Sequence, residues 1–93
     1  MSDTMDRAIA LVKEERARQD AKWGEQNHPP CEWMTVLGEE FGEACQAALN
    51  LRFGGKLTQA DYQKEVVQVA AVAVAMVECL MRGKWKEPTD EQA

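Results

Sequence analysis

Between Val66 and Val77 only Gln68 is polar, and a helix made from such a run has no face to give to water. A surface helix carries its apolar side chains in a stripe; here they go all the way round. No period-two alternation marks a half-buried strand in this stretch or elsewhere in the chain. The 93 residues allow one small domain, and the other helices it can supply do not easily cover every side of this one. Ala70, Ala71, Ala73 and Ala75 permit close helix approach. The simplest solution packs the helix against its copy in a second chain; the alternative is a compact monomer with a tightly wrapped third helix. From Val66 to Met81 the run spans 16 residues and includes Gln68 and Glu78, short of the roughly 20 apolar residues of a membrane span. The expected fold class is all-α, a helical bundle whose core helix is shared across a homodimer or a dimer of dimers.

The boundaries of three helices follow from local signals. Asp3 or Thr4 can cap a first helix reaching about Lys22, with Met5, Ala8, Ile9 and Val12 as its apolar stripe. Its second half, Lys13 to Asp20, is almost wholly polar and so faces solvent or lines a polar cleft. Gly24 to Pro30 is a loop, because Asn27-His28-Pro29-Pro30 cannot be helical throughout. Pro30 suits the first position of a second helix that runs to about Leu51, with Met34, Leu37, Phe41, Ala44, Cys45 and Ala48 as its core stripe. Thr58, with Asp61 three residues on, resembles a capping box for a third helix, and Gly83 is a natural stop. Residues 1–93 form a single domain, and about 84–93 make a frayed tail.

A net charge of −5 argues against a nucleic-acid footprint, which needs a clustered basic surface. Cys31, Cys45 and Cys79 lack Cys-x-x-Cys spacing, and a single histidine leaves zinc short of soft ligands. They are expected to be buried reduced thiols in a cytoplasmic protein. The first residues lack the basic start and apolar core of a signal peptide.

Chemistry is concentrated elsewhere. Glu39-Glu40-Phe41-Gly42-Glu43 lies in the second helix and Glu65-Val66-Val67-Gln68 in the third. On a helix Glu40 and Glu43 are separated by about 60° and Glu39 and Glu43 by about 40°. Like charges so placed repel by a few tenths of a kcal/mol per pair. A solvated acidic face is the bland reading. Three glutamates in five residues facing a fourth, beside Gly38 and Gly42, which each cost up to about 1 kcal/mol in a helix interior, favour a cation between them. Gln68, an amide in an apolar stretch, must meet something polar: the metal site, or a neighbour across the bundle.

Glu39-Glu40-x-x-Glu43, then Glu65-x-x-Gln68 after 21 residues, resembles the Glu-Glu-x-x-Glu…Glu-x-x-Asp signature of the MazG-like all-α nucleoside triphosphate pyrophosphohydrolases. The segment Arg18-Gln19-Asp20-x-Lys22-Trp23-Gly24 and the apolar run after the second motif support the likeness, which covers roughly Ile9 to Cys79. It implies Mg²⁺, with Mn²⁺ able to substitute, held by Glu40, Glu43, Glu65 and the fourth position. Here that position is Gln68 in place of aspartate, which removes one negative charge. The resemblance also implies hydrolysis of a ribo- or deoxynucleoside triphosphate to monophosphate and pyrophosphate, a house-cleaning of nucleotide pools. Glu39 or Glu43 is the candidate for positioning the attacking water or taking its proton. No Walker lysine or glycine-rich phosphate loop is present.

Candidate substrate contacts cluster where the polar half-helix meets the loop. Trp23 is a base-stacking candidate, Asn27 and His28 can hydrogen-bond a base, and Lys22 is the preferred phosphate partner; a solvated lysine and a core tryptophan are the plain alternatives. The competing functional class is a non-catalytic helical oligomerisation or nucleotide-binding module on the same scaffold.

Overall fold

Three helices and no strand make up the described residues, which are 2–86 of the computed structural model. Helix α1 spans Asp3–Trp23, α2 Pro30–Arg52 and α3 Gln59–Arg82. Helix α3 packs against both of the others, whereas α1 and α2 do not meet. The all-α expectation holds, and both ends of α3 carry the expected capping chemistry. Thr58 Oγ1 accepts from the Asp61 N–H at 3.2 Å while Asp61 Oδ2 accepts from the Thr58 N–H at 2.7 Å, the reciprocal capping box. Gly83 takes the left-handed conformation (φ 73°). Its N–H donates to the Leu80 carbonyl and that of Lys84 to the Cys79 carbonyl, which satisfies two orphan carbonyls of the last turn.

The cap of α1 is Ser2, one residue before the expected pair, with its Oγ accepting from the Met5 N–H at 3.0 Å. That places Asp3 and Asp6 in the first turn, where the helix dipole favours negative charge. The tail expected to fray is fixed at its start by the Lys84 contact just described; its part beyond residue 86 lies outside the described residues.

The core is small. Trp33, Val72, Ala75 and Cys79 form its centre with Leu37 and Met76 packed against them, and no residue of α1 is buried. On α2 the inward stripe runs through Trp33, Leu37, Ala44 and Ala47. Met34, Phe41, Cys45 and Ala48, expected in the core, are exposed in the chain. Two adjacent apolar stripes compete on this helix, and the one carrying the large indole faces α3. Cys31 and Cys45 are exposed and only Cys79 is buried, which corrects the expectation of three buried thiols. Gly38 and Gly42 lie on the outward side, with no group of another element among the described residues within 4 Å of a Cβ placed there.

A radius of gyration of 15.6 Å exceeds the value of about 12 Å for a compact domain of this length. Because α1 and α2 do not meet, a cleft opens between them with α3 as its floor. Among the described residues no helix is long and apolar enough to cross a membrane.

Candidate functional site

The acidic cluster forms because α2 and α3 pack along the faces that carry it. Glu40 and Glu43 are less than one turn apart on α2, and Glu65 comes from the first half of α3. One carboxylate oxygen from each lies within 4.8 Å of the other two. Ligands on Mg²⁺ are about 4.2 Å apart when trans and about 3.0 Å when cis, given bonds of about 2.1 Å. Side-chain movements of under about 1 Å therefore close the three oxygens on one ion, and hard oxygen donors are the set Mg²⁺ prefers.

Gln68 lies in the same cluster. With its NH₂ turned to the carboxylates, it donates to Glu40 Oε2 at 3.2 Å and to Glu65 Oε2 at 3.1 Å. Rotating the amide would present its oxygen instead, so one side chain can relieve the carboxylates without metal or ligate a cation. Aspartate can do only the second.

The electrostatics agree with that crowding. Partial burial, then Glu43, Glu65, Glu15 and Glu39, push the Glu40 carboxyl above its ordinary range. Partial burial, then the neighbouring Glu43 carboxylate, do the same for Glu65. For a carboxyl raised in the folded state, the stability contribution is fully present below the unfolded value near 4.5 and is lost as pH rises through the folded pKa. A bound divalent ion needs the deprotonated form and reverses the trend. The rise in melting temperature given by Mg²⁺ is therefore expected to grow as pH rises above the ordinary carboxyl range, as thermal melts in low salt with and without the ion will show. A Mg²⁺ effect independent of pH would mean that these carboxyls do not bind it.

Glu39, also a sequence candidate, does not join the cluster: it is exposed, turned about 100° along the helix surface from Glu40. Next to the cluster is a pocket of about 250 Å³ in the cleft between α1 and α2. Glu40 and Gln68 border it on one side, and Trp23, His28 and Trp33 supply aromatic walls. The His28 ring meets Trp33 edge-on, with centroids 4.8 Å apart. Trp33 Nε1 is the one buried side-chain polar atom without a hydrogen-bond partner among the described residues.

Two sequence candidates are not brought into the pocket. Lys22 is not among the lining residues, and its ammonium lies 4.8 Å over the Trp23 ring. Asn27 is occupied in anchoring the loop: its amide donates to Glu25 at 2.9 Å, and its oxygen accepts two hydrogen bonds from Arg82. The structure adds Glu15, Arg18, Gln19, Gln26 and Trp33 to the lining. Glu15, Arg18, Gln19 and Trp23 follow helical spacing along one face of α1, the signal that identifies this polar half-helix as a cleft wall.

This geometry makes a sharp test of Gln68. Gln68→Asp removes the donor that bridges Glu40 and Glu65 and adds a fourth carboxylate, so the metal-free melting temperature is expected to fall. Mg²⁺ binding is expected to tighten, and both effects to shrink as salt rises. Calorimetric titration and melts with and without Mg²⁺ measure the pair; a loss of stability that Mg²⁺ leaves unrepaired would remove Gln68 from the site. Comparisons with protein-family models, curated proteins and solved structures returned no match.

Proposed function

We propose that this protein is a Mg²⁺-dependent nucleoside triphosphate pyrophosphohydrolase. The observation that carries the reading is the convergence of Glu40, Glu43, Glu65 and Gln68 from two helices beside a pocket with aromatic walls. The donor chemistry suits Mg²⁺, and the pocket has the two ends that a nucleotide needs. Bound Mg²⁺ would neutralise phosphate charge and lower the pKa of a bound water.

The side chains divide the work. Glu40, Glu43, Glu65 and the Gln68 oxygen would hold the ion. Glu39, outside the cluster and about one turn from Glu43, is the candidate for taking the proton of the attacking water. The water oxygen forms a bond to the α-phosphorus as the bond from that phosphorus to the bridging oxygen breaks. Pyrophosphate leaves with the electron pair and the nucleoside monophosphate remains. Trp23 and His28 flank the base, and Trp33 backs the pocket between them. A panel of ribo- and deoxynucleoside triphosphates with Mg²⁺, with products separated, tests the assignment. Monophosphate and pyrophosphate in equal amounts are expected; release of orthophosphate, or binding without turnover, would favour another phosphatase or the non-catalytic module.

The assembly proposed with it is a homodimer or a dimer of dimers. Support comes from the side of α3 turned away from the cleft, where Val66, Ala73, Val77 and Leu80 are exposed in the single chain. An apolar groove of about 630 Å³ along Ile9, Val12, Ala70 and Val74 adjoins it. Covering these surfaces with a second copy would complete a core that the chain alone leaves open.

A further inference from the structure

The wall of the pocket across from Glu40 belongs to α1 and presents an arginine. Among the described residues lining the pocket, Arg18 is the only arginine or lysine. Its guanidinium is held as a fork: Nε and Nη2 donate to the two carboxylate oxygens of Glu15 at 2.8 and 2.6 Å. Glu15 is itself fixed, with only 12% of its side chain exposed and a further hydrogen bond from Gln19 at 3.2 Å. One edge of the guanidinium is thus used for positioning, while the edge formed by Nη1 and the second Nη2 hydrogen makes no hydrogen bond within the described residues. More than half of the Arg18 side chain is exposed, so that edge can be reached.

The local charge balance makes this edge important. Glu40, Glu43, Glu65 and Glu15 outnumber Arg18, and a single divalent ion at the cluster still leaves the region negative. A polyphosphate entering it needs both its metal and a cation that is not already neutralised through both edges. A bidentate arginine edge matches two phosphate oxygens.

We propose that Arg18, oriented by Glu15, is the anion-receiving side chain of this pocket and takes the distal phosphates of a polyphosphate ligand. The inference rests on the pyrophosphohydrolase reading above and assigns its phosphate contact to Arg18, in place of Lys22. Inorganic pyrophosphate is the probe, titrated calorimetrically into the parent protein, Arg18→Gln and Arg18→Lys, each with and without Mg²⁺. Circular dichroism checks that the helices are retained.

Arg18→Gln is expected to weaken pyrophosphate binding about tenfold or more, and Arg18→Lys, which keeps the charge but loses the fork, to fall between. Mg²⁺ titrated alone should bind Arg18→Gln as tightly as the parent or more so, because a cation near Glu40 has been removed. Pyrophosphate affinity within about twofold of the parent, an equal loss of Mg²⁺ affinity, or no pyrophosphate binding to the parent under either condition would overturn the proposal. An Arg18-dependent affinity that Mg²⁺ does not change would leave the anion site standing and remove the metal reading instead.

Discussion

Glu43→Gln is expected to reduce nucleotide hydrolysis by at least about 100-fold while leaving helix content unchanged. The lower bound comes from metal sites in which replacing even an outer-shell partner costs 10- to 100-fold; Glu43 is proposed to touch the ion itself. The stability effect should have the opposite sign. Glu43 pushes up the carboxyls of both Glu40 and Glu65, so its charge is a source of repulsion in the metal-free protein. Neutralising it should leave the metal-free melting temperature unchanged or raised, flatten its decline above the ordinary carboxyl range, and reduce the gain from Mg²⁺. Steady-state kinetics with melts across pH read all of these. Lost activity accompanied by lost helix content would make Glu43 a folding residue, and retained activity would detach the acidic cluster from the chemistry.

What the sequence discloses well is local. The ends of α3 can be read from Thr58, Asp61 and Gly83 because a cap is settled by residues within one turn. The pairing of Glu40 with Glu43 follows from helical geometry, and the placement of Glu65 and Gln68 near them follows from a short connection between adjacent helices. The choice of packing face is less legible. Trp33 and Leu37 compete with Met34 and Phe41 for the inside of α2, and periodicity alone does not rank two neighbouring apolar stripes. Asn27 illustrates a second obstacle. Its loop position suits a base contact, but Arg82, 55 residues away, engages its side chain. The Arg18 fork is hidden for a similar reason: Glu15 and Arg18 can be seen as an ordinary surface pair until α1 docks on α3. The ion pair of Arg16 with Glu78 at 2.8 Å fixes that docking, and only then does the Arg18 face become a pocket wall.

Ala73→Glu is expected to convert the proposed oligomer to monomers, weakening subunit association by at least about 100-fold. Ala73 is exposed in the single chain, between Val66 and Val77 on the uncovered side of α3. Across a closed apolar interface a new carboxylate would have no partner, and an unpaired buried charge costs about 3–5 kcal/mol, enough for that change in dissociation constant. The position separates assembly from folding. Glutamate is a better helix former than most polar residues, and an exposed site on a monomer tolerates such a change to within about 0.5 kcal/mol. If the chain works alone, mass and melting temperature should therefore hardly move. If α3 is shared, sedimentation should show the smaller species. Its melting temperature should fall as well, because the separated chain keeps only the small core around Trp33, Val72, Ala75 and Cys79. A fall in stability at constant mass would place Ala73 inside a monomer core, which its exposure contradicts. The sedimenting mass, more than the melt, therefore decides whether the apolar circumference of α3 belongs to one chain or two.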